Sequence, residues 1–565
     1  MPTIGCKQPA SSNSDPPVCG CNLLHVSWGI TLKHPKLTSL KLRMAGDGMD
    51  VGEGYSPLMG LMYVFNLIVG TGALTMPSPI YDAGWLLSLI VLVILAFMSF
   101  VTVTFVTESM GAANAIVHSR TVRHLKKVIK TEDSGNEDNT QLLEERFLTD
   151  EVISNSMENE KVPLLISNSV DTISENSAEY FNITERIEMG KMATMFFNRV
   201  GVNVFYICIV VYLYGDLAIY AAAVSKSIRD VSCTYVPEDA FCNDTLNSTI
   251  HCFNESSNVS RSDAYRIFVV VFLLLLGPFT FFNVQKTKYL QVFTTIMRWL
   301  AFSTMIILAA TALVKGRGKG HPPIANIRGI PNLFGVCVYS FMCHHSLPSL
   351  ITPIKNKNKL LHLFVADYSL ILLFYSLLSF TGIFAFEHPN SLYTLNFEPQ
   401  NCNGSSSSEG SIIPQSFAFL RYFLALFPVF TLSTNFPIIA ITLRNNLKSL
   451  FLRETKRYSV FVQKILFPLL AVLPPVAIAL VTEDLTILVG VTGSYAGTAI
   501  QYVVPALLVY CARRDTLSTL GLGLKNKHAS PFGHVAWIIF VLVWAAMCVI
   551  FVTVNYFLPK KGIVG

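Results

Sequence analysis

Charge is what this chain has least of. Only 14% of its residues are Asp, Glu, Lys or Arg, where a soluble domain carries about 25%. That scarcity excludes a water-soluble globular fold. No nucleotide-cradling loop, HExxH helix or Ser/His/Asp constellation is present, so the chain reads as neither a pump nor an enzyme. The net charge of +6 comes from basic residues spread over short segments without a stripe or reading motif, which excludes nucleic acid as a partner. Residues 1–43 hold no apolar run of signal-peptide length. Cys6, Cys19 and Cys21 are too loosely spaced beside His25 and His34 for a zinc site, so no metal is expected.

Apolar residues fill the space that charge leaves, at 52% of the chain with 39 Phe. Runs of about 20 such residues fall at 57–80, 84–107, 200–225, 265–283, 291–313, 331–352, 362–385, 416–441, 460–481, 485–510 and 534–557. The pattern predicts an all-α polytopic membrane protein with about eleven transmembrane helices. Lys33, Lys36, Lys41, Lys286, Lys288, Lys355, Lys357, Lys359, Arg444, Lys448, Arg513 and Arg514 gather on one side. That side is the cytosol by the positive-inside rule, and the N-terminus lies there.

The opposite side carries N-x-S/T sequons at Asn243, Asn247, Asn254 and Asn258 in the loop 226–265, and at Asn403 in the loop 386–414. Four sequons within 16 residues, on the side already chosen by charge, predict glycosylation. Cys233, Cys242, Cys252 and Cys402 share these loops, where disulfides persist. Three connectivities are open to four cysteines.

The domain plan is a disordered cytosolic tail over 1–55, helices one and two over 56–108, and an acidic disordered cytosolic loop over 109–190. Helices three to eleven occupy 191–558, and an outer tail ends the chain at 559–565. Met44 offers an alternative start. In the acidic loop, Asp138 precedes Leu142-Leu143, and Glu160 precedes Leu164-Leu165, by four residues. This resembles the acidic dileucine signals read by clathrin adaptors and points to an endosomal or lysosomal membrane, with the plasma membrane as the alternative. Towards the loop's end, Ile187, Met189, Met192 and Met195 recur at helical spacing, as in a helix lying on the membrane face.

Spans one and six are the interrupted ones: NLIVGTGALTMP (66–77) and FGVCVYSFMCHHSLPSL (334–350). A five-span half followed by another must re-enter from the opposite side, so the repeat is inverted, 5+5. Paired breaks in matching positions point to a transporter site at the midplane. Gly70, Thr71 and Gly72 would free backbone amides for a carboxylate and carbonyls for an ammonium or cation. The alternative is a seam of small residues where helices approach.

Asp216 in span three costs about 2.5–3.5 kcal/mol to insert. It reads either as a proton acceptor, as a charge facing the substrate ammonium, or as a static pair with Arg298 or Arg421. Tyr212 lies on the same span, and Tyr339 on the interrupted sixth. Cys343, His344 and His345 suggest substrate lining or proton-sensitive gating, because adjacent helical residues diverge by about 100° and make poor co-ligands. Gln501 and Tyr502 line the cavity or bond a neighbouring helix.

NLIVGTGALTMP resembles the first-span motif of the amino acid/auxin permease family, and FMCHHSLPSL its sixth-span Phe-x-Cys-His motif. GPFTFFNVQKTKYLQ (277–291) and LVGVTGSYAGTAIQYVVPALLVY (488–510) are similar to its span-four exit and tenth span. His345 intervenes before the Pro, so either histidine fits the family position. The resemblance implies a leucine-transporter-like fold with Asn66 near the substrate or coupling ion. It implies a sodium site built from span-one carbonyls and the span-eight hydroxyls Ser433 and Thr434. The expected function is ion-coupled secondary transport of amino acids or similar small zwitterions by alternating access, with sodium or protons as coupling ion and no other cofactor. The alternative is a transporter-fold sensor that signals through the acidic loop without net transport.

Overall fold

Apolar runs of bilayer length, punctuated by Gly and Pro, give a chain of helices. The computed structural model describes residues 55–132, 180–235, 248–254, 258–282, 288–397, 418–452, 458–521 and 524–557. Nine helices among the described residues are long and apolar enough to cross a membrane. Leu274, Ile296, Phe419 and Phe430 stand exposed on them, as side chains that face lipid do.

The first span is three pieces, α1 (Pro57–Ile68), α2 (Thr71–Thr75) and α3 (Pro77–Ala83). Pro57 and Pro77 sit in first turns, where a missing N–H costs nothing, and Gly84 at φ 91° ends α3 in the left-handed region that favours glycine. Then come α4 (Trp85–Glu132), α5 (Met189–Phe196), α6 (Arg199–Ser232), α7 (Arg261–Leu276) and α8 (Lys288–Val314). The sixth span is again broken, into α9 (Ile330–Ser340) and α10 (Leu347–Ile351). It is followed by α11 (Leu360–Ala385), α12 (Ala418–Phe451) and α13 (Phe467–Val481). Next, α14 (Leu485–Thr492) passes through two π-helical turns, Gly493–Gly497 and Ala499–Val503, into α15 (Val504–Leu520), and α16 (Val535–Phe557) ends the described chain.

The two broken spans run antiparallel, end to end. At one end Tyr55 N donates to Pro353 O (3.1 Å) and Lys355 N to Tyr55 O (3.1 Å). At the other, Asn326 N donates to Ala83 O (2.7 Å) and Trp85 N to Pro323 O (3.0 Å). Glycines bring α9 against α14 and its π turns: a Cβ on Gly335 would lie 2.1 Å from Gly490 O, and one on Gly493 1.9 Å from Gly335 O. Without Cβ atoms the two backbones pack directly.

Two boundaries differ from expectation. The composition puts the acidic loop from 109, yet α4 continues to Glu132, because Met110, Ala112, Ala113 and Ile116 are buried rather than solvated. Its other end is ordered too: Phe181, Ile183 and Ile187 are buried, and Asn114 Oδ1 accepts from Thr184 N (3.1 Å) and Glu185 N (2.9 Å). Helix α5 buries Met189, Met192, Ala193 and Phe196, so its apolar face is packed against protein.

At this same face Glu108 of α4 meets Arg513 of α15 through paired bonds of 2.8 and 2.7 Å. Ser530 N donates to the same carboxylate (3.0 Å) and Asn526 Nδ2 to Glu108 O (2.9 Å). Breaking a buried pair costs about 3–5 kcal/mol; Arg513 keeps 24% of its side chain exposed, which places the loss at the lower end. Glu108→Ala is therefore expected to lower the melting temperature of the detergent-solubilised protein sharply, and a melt unchanged from wild type would show that water replaces the pair at no cost.

Cys233 and Cys252 are disulfide-bonded, while Cys242 and Cys402 lie outside the described residues. Beside them Asp230 accepts from Arg229 (2.7 Å) and Arg261 (2.9 Å), and Arg229 also pairs with Glu483. Asn254 and Asn258 are exposed. The remaining sequons Asn243, Asn247 and Asn403, the dileucine residues Asp138, Leu142, Leu143, Glu160, Leu164 and Leu165, and the two terminal tails fall outside the described residues.

Candidate functional site

The two interruptions meet inside the bundle. A Cβ on Gly72 would lie 2.3 Å from Ser340 Oγ and 2.6 Å from Ser340 Cα, whereas one on Gly70 would have nothing within 4 Å among the described residues. The glycines of the first break thus divide the two readings their sequence left open. Gly72 is a close-packing glycine, and Gly70 borders open space.

A broken helix leaves carbonyls without intrahelical donors. At the end of α1, Arg298 of α8 donates Nη1 to Asn66 O and to Val69 O (3.0 Å). Tyr375 of α11 places its hydroxyl 3.0 Å from Ile68 O and 2.9 Å from Ser340 O. One hydroxyl hydrogen serves two carbonyls, one from each break, so Tyr375 ties the two spans at their interruptions. The second break is held from α4 as well. Ser99 Oγ lies 2.8 Å from Tyr368 Oη and 3.4 Å from Phe341 O, and Thr102 Oγ1 is 2.9 Å from His344 Nε2.

Helix α6 closes the third side. Tyr339 of α9 donates its hydroxyl to Asp216 Oδ1. Tyr212 lies 6.2 Å from the Tyr339 ring and 5.5 Å from that of His345, centroid to centroid, and Tyr220 faces Thr71. Of the readings open for Asp216, the static pair with Arg298 or Arg421 is absent among the described residues: the tyrosine hydroxyl meets the carboxylate, and Arg298 is directed to the helix-end carbonyls.

The structure therefore brings together Asn66, Gly70, Thr71, Gly72, Tyr212, Asp216, Tyr339, Cys343, His344 and His345 around the two breaks. Asn66 Nδ2 bonds Thr295 Oγ1 (3.2 Å), and its Oδ1 is buried without a partner among the described residues. Cys343 Sγ lies 3.6 Å from Tyr368 Oη. His344 turns to α4 and His345 to α6, so the pair does not converge, and no cluster of three metal-ligating side chains exists among the described residues. Thr434 Oγ1 donates to Thr431 O of its own helix (2.9 Å). Gln501 bonds Tyr502 (3.3 Å), whose hydroxyl faces Trp544 of α16, away from the breaks.

Sequence reasoning overlooked Tyr375, Ser99, Thr102 and the destination of Arg298, which look like ordinary isolated polar residues in apolar runs. It also passed over Asp367 of α11, though an acidic residue within a span is a signal in itself. A cavity of about 180 Å³ lies apart from the breaks, at the Glu108–Arg513 pair.

Residues 169–554 match the family model described as transmembrane amino acid transporter protein. The human protein named Transmembrane protein 104 is 52% identical over 522 residues, covering 92% of this chain and 99% of its own length. The Drosophila melanogaster homolog is 46% identical over 528 residues, covering 90% and 99%, and that of Dictyostelium discoideum 34% identical over 538 residues, covering 92% and 100%. The family match begins after α4, so the first break lies outside it, while all three relatives span nearly the whole chain.

Proposed function

Because the chain belongs to the transmembrane amino acid transporter family and is a multi-pass integral membrane protein, we propose that it is an ion-coupled secondary transporter of amino acids or similar small zwitterions. The observation that carries this reading is the contact of the two helix breaks, with fixed donors on their carbonyls and open space at Gly70. A solute seated there would touch both broken spans at once, and motion of either against α6 and α8 would expose it to one side or the other. The antiparallel end-to-end pairing of α1–α3 with α9–α10 supports an eleven-span chain built as an inverted 5+5 repeat, with the N-terminus in the cytosol.

The coupling ion that fits best is the proton. A sodium site built from first-span carbonyls needs those carbonyls free, and Arg298 already donates to Asn66 O and Val69 O. We place the protein in an endosomal or lysosomal membrane, on the dileucine pattern.

Purified full-length protein in liposomes, given labelled amino acids one at a time under an inward proton gradient, is expected to accumulate at least one of them. Binding of an amino acid without accumulation or exchange would instead identify a sensor.

A further inference from the structure

Among the described residues, Asp367 is the least explained acidic side chain. It lies on α11 about 10 Å from the Lys359 end by helical rise, with 1% of its surface exposed. Among the described residues neither carboxyl oxygen has a hydrogen-bond partner. The ionisable groups that reach it are Cys343, from the second break, and Tyr368, the next residue of its own helix. No lysine, arginine or histidine reaches it from the elements packed against α11 among the described residues. Asp216 differs, because its carboxylate is met by the Tyr339 hydroxyl.

A buried carboxylate with no donor and no counter-ion is among the costliest groups a membrane protein can hold. As a neutral acid the same side chain costs far less. Asp367 also adjoins the moving parts: Tyr368 stacks on Phe341 with centroids 6.2 Å apart and contacts Cys343 and Ser99. A shift of the second break would alter the surroundings of Asp367 directly.

We propose that Asp367 carries the coupled proton: it is the neutral acid in the closed arrangement seen here and releases H⁺ to water when the second break opens its end of α11. The step is COOH to COO⁻ plus H⁺, and it needs no other reactant. This rests on the transport reading above and names the group that couples it.

The test uses full-length protein and two readouts. The first needs no substrate: infrared spectra of the purified protein are recorded as pH is raised, for wild type and Asp367→Asn. Asn is close in shape to the neutral acid, so D367N is expected to fold as wild type does. The expected result is a protonated-carboxyl band in wild type that is absent from D367N. An identical band in both overturns the proposal.

The second readout compares uptake of labelled amino acids driven by a proton gradient with exchange at equal pH on both sides. D367N is expected to lose gradient-driven accumulation at least 10-fold while keeping exchange within about twofold, the division expected when a proton site is neutralised but the solute site is intact. Asp367→Glu, which keeps an acid, is expected to keep gradient-driven uptake. Wild-type accumulation by D367N overturns the proposal. A wild type that exchanges no amino acid removes the transport reading alone, and the infrared spectra then decide whether Asp367 holds a proton.

Discussion

Replacing Gly70 with leucine is expected to abolish stabilisation by amino acids while leaving the unliganded protein as stable as wild type. Replacing Gly72 with alanine, a far smaller change, is expected to do the reverse. At Gly70 φ is −130°, away from the positive-φ region that favours glycine, and a new Cβ meets nothing within 4 Å among the described residues. A leucine side chain can enter that space and occupy the volume a bound solute would take. Substitutions that disturb no packing stay within about 0.5 kcal/mol. At Gly72 even a methyl group would sit 2.6 Å from Ser340 Cα. A backbone atom cannot rotate away, so the two breaks must part, and overpacking of this kind costs about 1–3 kcal/mol. Thermal melts of both variants, with and without a panel of amino acids, separate the two effects. Undiminished ligand stabilisation in G70L would put the solute elsewhere, and a G72A melt like wild type would mean that the contact relaxes freely.

That contrast also marks how far the sequence could be read. The positions of both breaks were legible, since Gly70 to Pro77 and Cys343 to Pro348 interrupt apolar runs with residues that disfavour helix. What each glycine does was not, because glycine beside open space and glycine beside a backbone leave the same letter. Arg298 shows the limit for charged residues. Its presence in a span was visible and called for a partner, but the nearest obvious candidate was the acidic Asp216, whereas the actual acceptors are backbone carbonyls, which no sequence pattern displays. Tyr375 was further out of reach: its role depends on α11 passing between Ile68 and Ser340, a tertiary fact. The helical continuation of α4 past residue 108 escaped for a related reason. The segment is polar enough to read as loop, and only its burial against α15 and residues 181–187 explains why it stays helical.

Removing Arg298 is the second large effect expected. In Arg298→Leu the carbonyls of Asn66 and Val69 lose their charged donor in a part-buried position. Each buried carbonyl left unpaired costs about 1–3 kcal/mol, and more where lipid surrounds the bundle. The variant is expected to melt well below wild type and to lose amino acid binding together with transport. Arg298→Lys should recover only part of either, since its ammonium sits on a shorter side chain and must reach two carbonyls that a single guanidinium nitrogen, Nη1, serves in the wild type. The same geometry sets an expectation for ions. With a guanidinium fixed on the first-span carbonyls, and Thr434 bonded within its own helix, uptake by the wild type should be indifferent to replacing sodium with choline. Arg298→Ala, by contrast, takes the donor from those carbonyls and should make the protein's melting temperature respond to sodium. Sodium-dependent uptake in the wild type would return the coupling ion to Ser433 and Thr434, and would reduce Arg298 to a purely structural clamp on the first break.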